Sequence, residues 1–378
     1  MSFIKIFFIP CIAGLLVACN GGQKSDSNMP EADSTLLVSY AKGFSVDYFD
    51  NYKRVTVINH WEQTERQTRY YLVNDTAVAT PADGRKISVP LRSVGITSCT
   101  HIEPFALLGE IGRITGVCLP HLIYNDRINL SYEERQIVNL GDPYNLNIEQ
   151  IIRLYPDGLM LSSDAGPAEQ EKRLMAAGTV LLYNNEWREP SVLGRAEWIK
   201  FIGVFFGKEA LAGALFSQME ARYNAAKAIA QACDSLPTVF CGSNFKGTWY
   251  MPGGNGYMGQ FFADAGGNYI YASNPSSESL PLSFETALHD CARADVWLNA
   301  PVASLSELYQ LDSRHQLFKA AQEGNVFALL RRTKKNGAND FWESAIAHPD
   351  IVLKDFIWAL HSDLLPDYQP VYILRLAN

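Results

Sequence analysis

Ser98, Cys99 and His101 stand together in the stretch TSCTH, directly after the apolar run RSVGI. A thiol or hydroxyl beside an imidazole is the material of nucleophilic catalysis, provided the base reaches the nucleophile in space. Adjacency along the chain does not secure that, and a strand-end loop that hydrogen-bonds a ligand uses the same residues. His101 and His121 each follow a run that reads as a strand. With Glu103 or Tyr124 they could hold a bare divalent ion or the iron of haem, although an isolated loop histidine needs no such role. Gly254, Gly256 and Gly259 in GGNGYMG satisfy GxGxxG by letter. However, KGTWYMPG separates them from the preceding strand, where a dinucleotide site needs a tight strand-to-helix turn. The sequence carries no GxSxG, HExxH or P-loop pattern.

A second group binds rather than reacts. Tyr124, Trp187, Trp249, Tyr250, Phe341 and Trp342 fall in or beside loops at predicted strand ends. Each alone could plug a gap between helix and sheet; as a set they offer flat apolar area that suits a macrocycle or a catecholate. Asp164, just past GLMLSS, joins this ligand-binding set. Arg331, Arg332, Lys334 and Lys335 follow the strand NVFAL in a chain whose net charge is -8. A solvated face is the usual meaning of such a run, but at a strand's carboxyl end it projects toward a cleft and favours an anionic ligand. The acidic balance leaves no basic footprint for nucleic acid.

These residues need elements to position them. FSVDYF, KRVTVINHW and RYYLVN read as a small antiparallel β segment. After residue 87 short continuous apolar runs (RSVGIT, RITGV, GLMLSS, TVLLYN) alternate with helical patterns, which predicts mostly parallel sheets covered by helices on both faces. From about Glu197 to Ala232 the chain is rich in alanine and free of proline, which predicts a long helix with Gly203, Gly207 and Gly213 as places to divide or bend it. Past Pro237 the α/β alternation resumes in TVFCGSN, NYIYAS, DVWLNAP and NVFALL. The expected fold is α/β, two Rossmann-like lobes joined by a long inter-lobe helix, with a ligand cleft where the carboxyl ends of the strands face each other. Five cysteines follow Cys19, with no CxxC pair, and read mostly as small buried residues.

Before all this, Lys5 and IFFIPCIAGLLVA read as a secretory signal, and Leu16, Val17, Ala18 and Cys19 resemble the lipobox of bacterial lipoproteins. That resemblance implies cleavage before Cys19 and its lipidation, with NGGQKSDSNMPEADS as a flexible tether.

NLNIEQIIRLYPDGLML in the first lobe and PLSFETALHDCARADVWL in the second repeat one pattern: a cap-like residue, an acid, a short amphipathic helix, an acidic pause and a buried strand. With SVGITSCTHIEPFALLGEIGRITGV and HPDIVLKDFIWALHSDLLPDY, the order of elements over most of residues 89–376 resembles the substrate-binding lipoproteins of iron-siderophore, haem and cobalamin ABC importers, in their Bacteroidetes-type branch. The resemblance implies a signal peptide (1–18), a tether (19–35), a β segment (36–86), a first lobe (87–196), an inter-lobe helix (197–234) and a second lobe (235–378). It also implies a non-enzymatic receptor with no intrinsic cofactor, lipid-anchored in the periplasm and more at the inner membrane than at the outer membrane or surface. Such a receptor captures a ferric siderophore, haem or cobalamin and delivers it to an ABC permease dimer with a separate ATPase. Glu169 and Glu307, with Glu171 as rival to the first, match the glutamates that dock such receptors on the permease. A chelatase or reductase acting on the chelate, and a bare-metal-ion binding protein, are the alternatives.

Overall fold

The computed structural model describes residues 31–59, 66–162, 168–233 and 235–377; Cys19 and Asp164 lie outside these residues. The first sheet is built from β1 (Ser34–Thr35), β2 (Phe44–Tyr48), β3 (Lys53–Asn59), β4 (Arg66–Val73) and β5 (Arg85–Ser88), in that order. In β2, Phe44 and Val46 are buried and Ser45 is exposed, the period-two pattern of a strand with one covered face. Two expectations are corrected here. The sheet begins at Ser34, inside the segment expected to be tether, because β1 pairs with β2. It is not wholly antiparallel, because the chain crosses over after β4 and brings β5 alongside it in parallel.

The first lobe follows as β6 (Val94–Ile96), α1 (Ile102–Leu107), β7 (Ile114–Val117), α2 (Asp126–Glu133), β8 (Val138–Asn139), the hairpin β9 (Gly141–Asp142) and β10 (Asn145–Leu146), α3 (Ile148–Leu154), β11 (Gly158–Leu161), α4 (Glu169–Ala176) and β12 (Leu181–Tyr183). Its sheet runs β12-β11-β6-β7-β8, parallel throughout. β6, β11 and β12 are buried at every position, as strands covered on both faces must be.

Over the expected helical stretch 197–234 the chain forms the end of α5 (Val192–Glu197), α6 (Ile199–Val204) and the long helix α7 (Glu209–Gln231), and the break between α6 and α7 falls at Gly207, one of the expected places. Gly207, with φ of 63°, takes the left-handed conformation that ends α6. The 23 residues of α7 make a rod about 35 Å long. It buries the stripe Ala212, Phe216, Met219, Tyr223, Ala226 and Ala230, whose four-and-three spacing keeps one face toward the protein.

The second lobe comprises β13 (Thr238–Cys241), β14 (Asn244–Phe245), β15 (Thr248–Pro252), α8 (Tyr257–Asp264), β16 (Asn268–Tyr269), β17 (Ser279–Leu282), α9 (Phe284–Cys291), β18 (Val296–Leu298), α10 (Leu305–Leu311), α11 (Lys319–Gln322), β19 (Phe327–Ala328), α12 (Pro349–Leu360) and β20 (Leu374–Arg375). A parallel sheet β16-β13-β18 forms its centre, beside an antiparallel ribbon β14-β15-β17. The repeated sequence pattern is a repeated structure. Asn147 caps α3 by accepting from the Gln150 N–H at 3.0 Å, and Ser283 caps α9 by accepting from the Thr286 N–H at 3.0 Å. The acidic pause then clamps the neighbouring strand: Asp157 accepts from the Arg92 N–H at 2.7 Å, and Asp295 accepts from the Thr238 N–H at 2.8 Å.

Candidate functional site

The carboxyl ends of the first lobe's strands surround a cavity of about 820 Å³, within the range of small-molecule sites. Each strand delivers its wall directly. Thr97 to Thr100 follow β6, Cys118 and Leu119 follow β7, Ser162 follows β11, and Glu186 and Trp187 follow β12. The β9–β10 hairpin adds Pro143, Tyr144 and Leu146, and the first turn of α4 adds Gln170 and Glu171. Gln170 holds the hairpin in place, accepting from the Leu146 N–H and donating to the Pro143 carbonyl. Leu119 reaches the wall with φ of 45°, a strained conformation for a branched residue of the kind that collects at binding sites.

Of the expected ligand residues, Ser98, Cys99 and Trp187 share this wall. The Cys99 thiol is no nucleophile: burial pushes it up to about 12, with the Glu343 carboxylate adding to the rise, and its Sγ–H donates to the Trp342 carbonyl. His101 is fully buried behind the wall, and burial lowers its pKa to about 4. It is therefore neutral and out of reach of a ligand in the cavity, which removes it from the binding set and from any nucleophile–base pair. His121 is exposed and presents its backbone carbonyl to the Asn336 side chain. Glu103 pairs with His348 rather than with His101 or His121. Among the described residues no group of three His, Cys, Asp or Glu side chains is placed to hold a metal ion.

Phe341 and Trp342 meet edge to face at 4.9 Å and line a small pocket with Thr100, next to the main cavity. Tyr124 and Arg332 come together elsewhere, in a separate cavity of about 320 Å³ between the lobes. Of the basic run, Arg332 thus lines a space between the lobes, and no residue of the run lines the large cavity. Arg332 pairs with Asp340 at 2.6 Å and Lys334 with Asp126 at 2.5 Å, both over the Tyr124 ring, and Arg331 is exposed.

Trp249 is corrected as well. It is completely buried in the second lobe among Phe240, Trp297, Phe284 and Phe318, and its indole N–H donates to the Cys241 carbonyl. Tyr250, its neighbour on β15, points the other way and is exposed, lining none of the cavities described. The glycines of GGNGYMG answer to the protein's own backbone. A Cβ on Gly254 would lie 2.5 Å from the Ala272 carbonyl oxygen, and one on Gly259 would lie 2.5 Å from the Gly254 carbonyl oxygen. That close approach, not a dinucleotide, explains the spacing.

Glu343, outside the expected set, is central in the structure. Although it belongs to the second lobe and is only 2% exposed, its carboxylate accepts from the Tyr124 and Asn125 N–H groups of the first lobe at 2.7 and 2.9 Å. Burial pushes its carboxyl up to about 7, against the pull of those two donors and with Asp340 and Glu103 adding to the rise. A lone glutamate in ANDFWE carries no sequence signal for this role.

Of the expected docking residues, Glu169 opens α4 with its side chain 81% exposed and paired with Lys172. Glu307 is exposed in the first turn of α10, where it accepts from the Ala303 N–H. Its rival Glu171 is 5% exposed and accepts from the Tyr183 hydroxyl, so it faces inward and is ruled out as a docking residue.

Two α/β lobes joined by a helix, with a large cavity at strand ends beside contacts that bridge the lobes, are the architecture of a two-lobed solute-binding protein. The sequence model of the periplasmic binding protein family matches residues 97–332, more than half of the chain, and the chain belongs to that family. An uncharacterized lipoprotein of Methanocaldococcus jannaschii is 24% identical over 97% of this chain and 92% of its own length. Among solved structures, the apo periplasmic haem-binding protein of Roseiflexus sp. RS-1 matches with a TM-score of 0.54 at 20% identity, over 72% of this chain and 99% of that one. The periplasmic vitamin B12-binding protein of Vibrio cholerae matches with a TM-score of 0.53 at 13% identity, over 72% and 97%. The family match begins after the five-stranded sheet.

Proposed function

We propose that this protein is a lipid-anchored receptor that captures a metal chelate, whether ferric siderophore, haem or cobalamin, and delivers it to an ABC importer. The observation that carries the reading is the cavity of about 820 Å³ at the carboxyl ends of the first lobe's strands, where α/β folds bind ligands. The names of the related structures, which bind haem and vitamin B12, support a chelate as cargo, and the name of the related lipoprotein supports an anchor at Cys19. The anchor holds the receptor in the periplasm at the inner membrane, within reach of the permease, and raises its effective concentration there. Glu169 and Glu307 meet the permease dimer, and a separate cytoplasmic ATPase drives transport. No helix among the described residues is long and apolar enough to cross a membrane.

Native mass spectrometry of the purified protein against a panel of chelates tests this reading. One intact chelate retained per chain is the expected result. Release of a chemically altered chelate would instead favour an enzyme, and retention of none would refute the receptor.

A further inference from the structure

We propose that the first-lobe cavity selects metal chelates without net negative charge, that is, uncharged or cationic complexes whose rim carries amide or hydroxyl groups. This rests on the receptor reading above and deepens it.

The cavity wall is apolar over Leu119, Leu122, Ile123, Leu146 and Leu161, with hydroxyls and an amide from Ser98, Thr100, Ser162 and Gln170. Its charged groups are Glu171 and Glu186, and no lysine, arginine or histidine is found among the described residues that line it.

The cations nearby are committed. Arg195 donates to Glu186 at 2.8 and 2.9 Å. The Arg188 guanidinium stacks on the Trp187 ring at 4.6 Å. Arg332 and Lys334 are paired with Asp340 and Asp126.

An anion entering this space sheds its water against apolar side chains and meets no lysine, arginine or histidine among the described residues of the wall, which is costly in a low-dielectric site. It would also raise the cost of ionising Glu171, whose carboxyl burial already pushes up against the pull of the Tyr183 hydroxyl and the Ala168 backbone. A cationic complex does the reverse, and an uncharged one with N–H or O–H donors at its rim finds acceptors in Glu171, Ser162 and the Gln170 amide. With no ligating cluster among the described residues, the metal arrives already coordinated by its own chelator.

Calorimetric titration with four probes tests the selection: uncharged cyanocobalamin, cationic ferrioxamine B, haemin with its propionates, and an anionic ferric tricatecholate. The best uncharged or cationic probe is expected to bind at least roughly tenfold tighter than either anionic probe. Ala168→Lys places an ammonium on the wall at an exposed position, the N-cap of α4, whose side chain makes no capping hydrogen bond. It is expected to narrow that gap by roughly tenfold while the circular dichroism spectrum stays unchanged. An anionic probe that binds tightest overturns the charge selection and leaves the receptor standing. Binding of none of the four overturns both.

Discussion

Three residues divide the work between cavity, core and the contact of the two lobes. Trp187 and Trp249 looked alike in the sequence, since each is an aromatic near a strand end, but one lines the cavity and the other fills a core. Trp249→Ala should cost about 3–5 kcal/mol of stability, the usual loss for a buried aromatic. Chelate affinity of the remaining folded protein should hold. Trp187→Ala should do the opposite, weakening binding by about 1–3 kcal/mol at nearly constant melting temperature. Thermal unfolding and titration of both variants separate the roles, and equal affinities in the two would place the ligand elsewhere. The third residue is Glu343. Its carboxyl, pushed up to about 7 when the lobes meet, returns toward the ordinary value of about 4.3 when they part and water reaches it. The closed form therefore binds the proton more tightly. Its advantage is complete below that ordinary value and is lost as pH rises through about 7. Asp340, Glu103 and Asp126 add negative charge around it, and His348 and Arg332 offset part of that charge. Small-angle scattering across this range should show a compact molecule at low pH and a more open one above neutrality. Glu343→Gln should flatten the profile, and a wild type indifferent to pH would show that Glu343 does not bias closure.

At the scale of elements, much was legible. The continuous apolar runs announced the parallel strands, and the helix-then-strand pattern repeated in both lobes announced α3–β11 and α9–β18, down to their capping residues. Alternation also held a warning: on a strand, Trp249 and Tyr250 point to opposite faces, so both could never have faced one cleft. Contacts between residues distant in sequence were not legible. The segment SYAKG between β1 and β2 shows no periodicity, yet two buried glutamates far along the chain hold it. Glu197 accepts from the N–H groups of Ser39, Tyr40 and Ala41, and Glu189 accepts from those of Lys42 and Gly43. Lys200 balances Glu197 at 2.6 Å. α7 reinforces the strap through Tyr40 to Glu220 and holds β3 through Lys53 to Glu209, while Asp264 and Asp350 tie the same helix to the second lobe. Glu197→Ala takes the counter-charge from the Lys200 ammonium, which keeps the Leu37 carbonyl, and leaves three backbone donors without their acceptor. It should cost about 3–5 kcal/mol, and hydrogen exchange should accelerate first in β1 to β3. Exchange unchanged there would mean that the strap does not hold the sheet.

For the whole molecule, an anchored receptor needs three surfaces: a lipid at one end, a cleft, and contacts for the permease. Cys19→Ala should release the protein from membranes with its fold intact, and detergent partitioning reads this out. Glu169→Lys with Glu307→Lys should leave chelate affinity unchanged, because both side chains are exposed and neither lines the cavity. Uptake should fall sharply, as like charges then meet at the permease. Normal uptake in that strain would remove the docking assignment. The most direct measurement is hydrogen exchange of the full chain, with and without the tightest-binding chelate. Binding should slow exchange at residues 97–100, 118–123 and 143–146 around the cavity, and in the 331–343 turn that closes over the first lobe. Protection confined to the ribbon at 244–252 or to the sheet at 34–88, with the cavity segments unchanged, would contradict a receptor whose ligand sits at the strand ends of its first lobe.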